Sequence, residues 1–290
     1  MARAHAPSPE LGAHLTTLYD RFPFQRSFRA DPIAQIRSYC TDRRHAEVAA
    51  LYGATLAVGN TTAIRGSIRH LVELAGGDLV RVVRDRGRPD PWRGFRHRWI
   101  RGDQMTYLAR RLHAIYDSYA SLEEVFLEGM ENGGFASGID SLARAARGPN
   151  GGRDAPRGYR ALFPSPLDPQ HSPAKRMTLY VRWMVRNRFP DVGIWNRIPM
   201  GELRIPLDQH VFWIAYHLGL TQRRTRSWAT VEEVTAALRR IDPVDPVRFD
   251  FVLCHTGISG DCPKRRDIDV CGPCAVRPDC RMWRPVPGAS

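Results

Sequence analysis

Apolar residues recur at helical spacing along most of the chain, whereas alternating strand patterns are scarce. The first long run covers residues 45–57, and Gly59-Asn60 ends it before a second helix through Ile64, Ile68 and Leu71. Further helices are predicted at residues 103–127 (one or two helices), 174–188, from Asp208 onward, 231–240 and 246–254. No internal repeat is visible. The pattern therefore predicts an all-α fold.

Two segments interrupt this pattern. Residues 78–101 are rich in arginine and contain Pro89, Pro91 and Gly94, so they predict an exposed loop or a short helix with loops. Residues 148–158, GPNGGRDAPRG, have the composition of a flexible surface loop.

Length and composition limit the class of protein. With 290 residues and 43% apolar composition, the chain can form one large domain or two smaller ones. It contains no run of 18 apolar residues, and its first ten residues lack the apolar centre of a secretory signal. We therefore expect a soluble cytoplasmic protein.

The charge indicates a polyanionic partner. The formal net charge is +13, and of 43 basic residues only Lys175 and Lys264 are lysines. Arginine binds phosphate as well as lysine does, but its guanidinium stays protonated and cannot form a Schiff base. The two remaining lysines are therefore candidates for chemistry that arginine cannot perform.

Four of the six cysteines lie in one short segment, as Cys262-x8-Cys271-x2-Cys274-x5-Cys280. Cysteines clustered in this way indicate a metal site rather than a disulfide framework. A structural zinc site and a [4Fe–4S] cluster are both compatible with four thiolates, although zinc ribbons usually contain two C-x2-C pairs. Cys254, in an apolar helix, is interpreted as a small core residue.

The cysteine spacing resembles that of endonuclease III and its relatives, with two extra residues in the first loop. The segment RIPLDQHVFWIAYHLGL, residues 204–220, is similar to the helix of helix-hairpin-helix DNA glycosylases that begins with a catalytic aspartate. The resemblance implies a [4Fe–4S] cluster and assigns the catalytic aspartate to Asp208, which would stabilise the positive charge on the sugar as the base leaves. An aspartate before an apolar run is also an ordinary N-cap. His210 would contact the DNA backbone or pack beside the cap.

The chain departs from endonuclease III at the hairpin, where PDVGIWNRIPMG replaces the sequence that carries the catalytic lysine. This change puts the phosphate contact of the hairpin in doubt. A lysine occurs earlier instead, at Lys175, 33 residues before Asp208. The arrangement resembles the archaeal 8-oxoguanine DNA glycosylases and a bacterial family related to them. It implies that Lys175 is the nucleophile at C1′; the alternative is a phosphate contact.

Three further basic residues and one asparagine are candidates for DNA binding. Lys264, Arg265 and Arg266 lie in the cysteine loop, where a fixed loop would place them against phosphates; a solvated charged loop is the alternative. Asn60 lies within LYGATLAVGNTTAI, residues 51–64, which resembles the helix–turn that inserts a polar side chain into the gap left by a flipped base. Asparagine after glycine is also common turn chemistry.

These features lead to one hypothesis. We expect a two-lobed helix-hairpin-helix glycosylase fold, with residues 45–202 as a barrel-like domain and residues 1–44 and 203–290 as the iron–sulfur cluster domain. The resemblance implies a monomeric base-excision repair enzyme with lyase activity on damaged double-stranded DNA, acting on an oxidised purine in the nucleoid. Two alternatives remain: a monofunctional glycosylase in which Asp208 activates water, and a non-catalytic iron–sulfur DNA-binding protein.

Overall fold

The computed structural model describes residues 9–85, 87 and 90–283, and this part of the chain contains thirteen α-helices and one pair of short strands. The helices are α1 (Pro9–Asp20), α2 (Phe24–Ala30), α3 (Pro32–Ser38), α4 (Arg43–Thr55), α5 (Thr61–Leu74), α6 (Leu79–Arg84), α7 (Gly102–Ser118), α8 (Leu122–Arg147), α9 (Lys175–Val185), α10 (Gln209–His217), α11 (Trp228–Ile241), α12 (Asp250–Ser259) and α13 (Ile268–Cys271). The strands are β1 (Arg96–His97) and β2 (Ile100–Arg101), which pair antiparallel. The predicted mainly helical fold is confirmed. None of these helices has the length and apolarity needed to span a membrane.

Side-chain caps set the starts of several helices. Asp42, Asn60 and Asp78 precede α4, α5 and α6, and each side chain accepts from the backbone N–H three residues later, at 2.8–2.9 Å. These short polar side chains satisfy N–H groups that the first helical turn leaves free. The helix boundaries thus follow from local sequence as well as from apolar spacing.

The chain divides into two compact units, neither of which is one continuous segment. Among the described residues, unit 1 contains 9–24, 171–175 and 200–283. Unit 2 contains 25–85, 87, 90–170 and 176–199. Residues 25–44, expected in the cluster domain, lie in unit 2. The predicted two-lobed arrangement stays a prediction.

Unit 2 has a core with a buried carboxylate. Glu47, fully buried in α4, accepts from the Tyr116 hydroxyl at 3.0 Å, from the Trp195 indole N–H at 2.8 Å and from the backbone N–H of Leu122 at 3.1 Å. Burial is the main cause that raises the pKa of Glu47 above its usual range, and these hydrogen bonds oppose the shift. The partners join α4 to the start of α8 and to the chain after α9.

The arginine-rich segment 78–101 is less exposed than predicted. Trp92 and Phe95 are buried, and the Trp92 indole N–H donates to the carbonyl of Leu71 at 2.9 Å. His97 of β1 is also buried, with its ring nitrogens 2.8 Å from the Ser67 hydroxyl and 3.0 Å from the carbonyl of Val58. The alternative of a short helix with loops agrees with α6 (Leu79–Arg84), but the expected exposure is wrong at Trp92, Phe95 and His97. These buried residues are interspersed with arginines that face solvent.

Unit 1 joins the N-terminal helix to the C-terminal part of the chain. The buried residues Leu11 and Leu15 line one face of α1, and the Tyr19 ring lies 6.1 Å edge-on from that of Phe249. On the same helix, Nδ1 of His14 lies 2.6 Å from a carboxylate oxygen of Asp279. Unit 1 contains α10, α11, α12 and the cysteine loop, and therefore most of the predicted site.

Candidate functional site

Asp208 lies at the N-terminus of α10, as the sequence predicts. Its Oδ1 accepts from the backbone N–H of Val211 at 2.8 Å, and its side chain is half-buried. The N-terminus of a helix favours negative charge, because its free N–H groups and the helix dipole both point toward it. The capping role is thus present, and it leaves the second carboxylate oxygen, Oδ2, for another partner.

That partner is Cys254 on α12. The thiol Sγ lies 3.2 Å from Oδ2 of Asp208 and donates to it. Burial raises the pKa of the Cys254 thiol well above its usual range, and the negative charges of Asp208 and Asp250 raise it further. The thiol therefore keeps its proton. The interpretation of Cys254 as a plain core residue misses this contact, because nothing in its local sequence points to α10.

Lys175 belongs to the same group of charges. Its positive charge partly offsets the effect of Asp208 and Asp250 on the Cys254 thiol, which means that the ammonium acts at the same place. Lys175 is the first residue of α9 and is half-buried. It follows Ala174, which is buried and has a positive φ of 48°. Lys175 and Asp208, 33 residues apart, thus act on one half-buried thiol.

His210 connects α10 to two neighbours. A Cβ on Gly257 of α12 would lie 2.6 Å from Cβ of His210, so only glycine permits this approach of the two helices. Nδ1 of His210 lies 3.3 Å from Nζ of Lys264 in the cysteine loop. His210 is half-buried, and its predicted contact with the DNA backbone stays a prediction.

The four clustered cysteines line one cavity of unit 1. The cavity has about 520 Å³ of space free of protein atoms, part of it open to solvent, and Cys262, Cys271, Cys274 and Cys280 all contribute to its wall. Cys271 is buried and the other three are half-buried. Within the described ranges, no three His, Cys, Asp or Glu side chains converge closely enough to bind one metal ion. The cysteines thus surround a common space without meeting at one point.

Burial favours the protonated thiol at Cys262, Cys274 and Cys280. It is the main cause that raises the pKa of Cys262, Cys274 and Cys280 above the usual range, and neighbouring cysteines of the loop add to the effect. Backbone N–H groups partly oppose it. Because metals bind the thiolate, the binding of a metal by this loop would release protons.

Two other residues on the cavity wall carry unsatisfied polar atoms. Both ring nitrogens of His217 and the indole nitrogen of Trp283 are buried without a hydrogen-bond partner among the described residues. Burial, assisted by the charge of Arg281, lowers the pKa of His217. The sequence gives no signal for these two positions, since neither belongs to a recognisable motif. Buried polar groups without partners usually indicate an unseen water, ion or ligand.

The basic residues of the cysteine loop differ in their surroundings. Arg265 is exposed and lies 3.8 Å from the carboxylate of Asp267. Arg266 is also exposed; its Nε donates to the carbonyl of Met282, and its guanidinium lies 5.9 Å from the Trp283 ring centre. Lys264 is half-buried through its contact with His210. Arg265 and Arg266 are thus exposed, whereas Lys264 is partly buried.

Asn60 belongs to unit 2, whereas Lys175, Asp208, His210 and the cysteine loop belong to unit 1. Its Oδ1 caps α5, and the residue is exposed. The adjacent Gly59 has a positive φ of 113°, and a Cβ there would lie 3.2 Å from the guanidinium of Arg98. The turn interpretation is therefore present in the fold, and the role as a plug in DNA stays a prediction.

The segment PDVGIWNRIPMG, residues 190–201, lies between α9 and α10 and contains no α-helix. Between Val185 and Gln209 the chain forms only a 3-10 turn at Met200–Glu202. Trp195 and Ile198 of this segment are buried. The segment is thus fixed by its own apolar anchors, whereas the glycine-rich turn of endonuclease III is absent from its sequence.

Comparisons with known proteins identify a family and no individual relative. No curated protein and no solved structure matches the chain. A family model described as "Protein of unknown function (DUF2400)" matches residues 31–259. The match includes Asn60, Lys175, Asp208 and Cys254 and ends before the clustered cysteines. Because it covers most of the 290 residues, the chain belongs to the DUF2400 family.

Proposed function

We propose that this protein is a DNA N-glycosylase of the helix-hairpin-helix superfamily with lyase activity, which removes a damaged base from double-stranded DNA. One observation carries the proposal. Lys175 and Asp208, the nucleophile and the electrostatic residue implied by the resemblance, both act on the half-buried Cys254 thiol. A lysine and an aspartate whose charges act on one half-buried group are compatible with such a reaction.

The chemistry assigns a separate role to each residue. The Lys175 amine, in its neutral form, attacks C1′ of a flipped nucleotide, and the bond from C1′ to the base breaks with its electrons leaving on the base. The Asp208 carboxylate stabilises the positive charge that develops on the sugar. Loss of the amine proton and opening of the sugar give a Schiff base between Lys175 and C1′. β-Elimination from that species cleaves the strand on its 3′ side.

A [4Fe–4S] cluster fits the cysteine loop. Four thiols line one cavity, and unpartnered ring nitrogens of His217 and Trp283 are available to donate to a group with sulfur acceptors. Cys262, Cys271, Cys274 and Cys280 would hold the cluster as thiolates. When bound, it would fix the loop and supply a one-electron redox centre. The fixed loop would present Arg265 and Arg266 to phosphates.

The remaining features support DNA as the partner. The net charge of +13 favours a polyanion, and arginine forms bidentate contacts with phosphate. Excision also requires a nucleotide turned out of the duplex, and Asn60, exposed at the start of α5, is the candidate to fill the gap. We propose an oxidised purine as the base, on the resemblance to the archaeal enzymes alone.

A borohydride-trapping assay tests this function. Purified protein is incubated with a panel of duplexes, each carrying one damaged base, with borohydride to reduce any Schiff base to a stable adduct. We expect trapping and strand cleavage on at least one duplex. Lys175→Arg keeps the charge and is expected to abolish both, while duplex binding is retained.

Matched variants separate the alternatives. Lys264→Arg, which changes the other lysine in the same way, should trap as the wild type does. Excision without trapping would indicate a monofunctional enzyme, and Asp208→Asn should then reduce excision by roughly a hundredfold or more. Duplex binding without excision on every lesion would favour the non-catalytic protein. Trapping that persists in Lys175→Arg would remove Lys175 from the mechanism.

A further inference from the structure

Asp208 has both carboxylate oxygens engaged by different elements. Oδ1 accepts from the backbone N–H of Val211 in its own helix at 2.8 Å, and Oδ2 accepts from the Cys254 thiol of α12 at 3.2 Å. A carboxylate held at one oxygen can still turn about the Cβ–Cγ bond. One held at both oxygens, by a fixed backbone and by a second helix, has a defined plane.

The direction of the second hydrogen bond follows from the surroundings of the thiol. Asp208, Asp250 and Lys175 are the charged groups that act on Cys254; two are negative and one is positive. A thiolate beside Asp208 would add a third negative charge to this half-buried place, so the sulfur retains its proton and the carboxylate is the acceptor.

We propose that Cys254 is a positioning residue for Asp208. Its S–H holds the carboxylate in one orientation and leaves most of the negative charge available to the sugar. The inference rests on the proposed function, and it adds a residue that the family resemblance does not assign.

The choice of sulfur has a physical reason. A thiol is a weaker donor than a hydroxyl, so it orients the carboxylate while withdrawing less of its charge. Hydroxyl–carboxylate contacts are also shorter, about 2.5–2.7 Å. Serine at this position would therefore have to draw Asp208 closer to α12, and it would share more of the charge. Alanine would remove the donor altogether.

The first test is spectroscopic and needs no substrate. S–H stretching bands lie in an otherwise empty region of the protein infrared spectrum, and a band lost in Cys254→Ala identifies that of Cys254. We expect this band to shift to higher frequency in Asp208→Ala, because the hydrogen bond is lost. An unchanged frequency would show that the thiol does not donate to Asp208 and would overturn the proposal.

The second test is kinetic and uses the full-length protein on the duplex that it cleaves. Cys254→Ala should slow single-turnover excision by about tenfold with unchanged duplex affinity, and Cys254→Ser should recover part of the loss. In an Asp208→Asn background, Cys254→Ala should have little further effect, because the two residues act as one unit.

The outcomes separate this inference from the proposed function. If Cys254→Ala excises the base as fast as the wild type does, the positioning role is wrong and the proposed glycosylase activity is unaffected. A wild type that excises no base would overturn the glycosylase and with it the positioning role. The infrared band would then still decide whether the thiol–carboxylate contact exists. If Cys254→Ala does not fold, Cys254→Ser and the Asp208→Ala spectrum decide the same question.

Discussion

Nζ of Lys264 lies 3.3 Å from Nδ1 of His210, and this contact joins the cysteine loop to the first turn of α10. Because an ammonium only donates, Nδ1 is the acceptor in this contact. Asp208 caps the same turn. Any change in the cysteine loop near Cys262 therefore reaches the candidate catalytic carboxylate through one side-chain contact and one helical turn.

Gly257→Ala tests the close approach of α10 and α12. The added Cβ would lie 2.6 Å from Cβ and 2.8 Å from Nδ1 of His210, so the two helices must separate. We expect the free energy of unfolding to fall by about 1–3 kcal/mol. The rate of excision should also fall, since the Asp208–Cys254 contact spans the same pair of helices. Thermal denaturation and single-turnover kinetics measure the two effects.

Gly66→Ala is the matched control. Gly66 is an exposed position inside α5, and a Cβ there would meet no atom within 4 Å. Alanine should therefore stabilise the protein by roughly 0.5–1 kcal/mol through the lower backbone entropy of the unfolded chain. Equal destabilisation by both substitutions would contradict the steric argument.

The proposed cluster predicts a coloured protein. Anaerobically purified material should be brown, absorb broadly near about 400 nm and contain about four irons per chain. Serine in place of Cys262, Cys271, Cys274 or Cys280 should reduce the iron content. Metal analysis that finds zinc and no iron in a colourless protein would replace the cluster by a zinc site.

The cysteines outside the loop provide the controls for this measurement. Cys40 lies in unit 2, where its thiol donates to the carbonyl of Ile36 at 3.2 Å. Burial raises the pKa of the Cys40 thiol to about 11. Cys40→Ser and Cys254→Ser should both keep the colour and the iron content of the wild type. Loss of iron from either variant would place a ligand outside the four predicted positions.

Binding to duplex DNA should weaken steeply with salt. Each arginine–phosphate contact releases counterions, so the logarithm of the affinity should fall linearly with the logarithm of the salt concentration. Arg265→Gln should reduce this slope by about one if the exposed side chain contacts a phosphate. Arg265→Lys keeps the charge and should leave the slope unchanged. A flat response in the wild type would argue against a phosphate-binding surface.

The ion pair of Arg147 with Asp168 predicts a pH-dependent part of the stability. Arg147 donates to both oxygens of Asp168 and holds the pKa of that carboxyl below its usual range; the backbone N–H of Ser165 assists and burial opposes. Because the folded pKa is lowered, the stabilisation is present above the unfolded value of about 3.9 and is lost as the pH falls through the folded value. Asp168→Asn should lower the free energy of unfolding by about 3 kcal/mol at neutral pH. The decrease should be smaller below about pH 4.

Asp103→Asn is the comparison for that experiment. Oδ2 of Asp103 lies 3.2 Å from Nη2 of Arg101, but both side chains are 49% exposed. Solvent screens such a pair, so its loss should cost at most about 1 kcal/mol and depend little on pH. Denaturant unfolding of both variants between about pH 7 and pH 3 measures the difference. A cost for Asp168→Asn that stays constant over this range would exclude the proposed linkage.

Much of the helical structure follows from local sequence. The starts of α4 and α5 combine a capping Asp42 or Asn60 with apolar spacing, and both are short-range signals. The predicted helix to residue 127 extends further, to Arg147, because α8 continues across a break at Gly133 and Gly134. The short pairing of β1 with β2 gives no periodic signal, since two residues per strand are too few to alternate.

In the candidate site too, some features follow from local sequence and others only from tertiary packing. Asp208 at a helix start and the cysteine spacing are visible in the sequence as local patterns. The contact of Asp208 with Cys254 joins residues 46 positions apart and depends on how α10 lies against α12. The unsatisfied nitrogens of His217 and Trp283 likewise result from tertiary burial. Such relationships exist only once the helices have packed, so no local pattern predicts them.

The contact between His14 and Asp279 has a consequence for the order in which the protein can be made. The two residues are 265 positions apart, so α1 leaves the ribosome long before its partner is translated. Domains generally fold during synthesis from the N-terminal side, and unit 2 is complete at residue 199. Unit 1 must wait for the final part of the chain. Until then the apolar face of α1, with Leu11 and Leu15, stays uncovered on the nascent chain. A messenger RNA truncated before the cysteine loop would therefore yield a chain in which α1 lacks its partner Asp279.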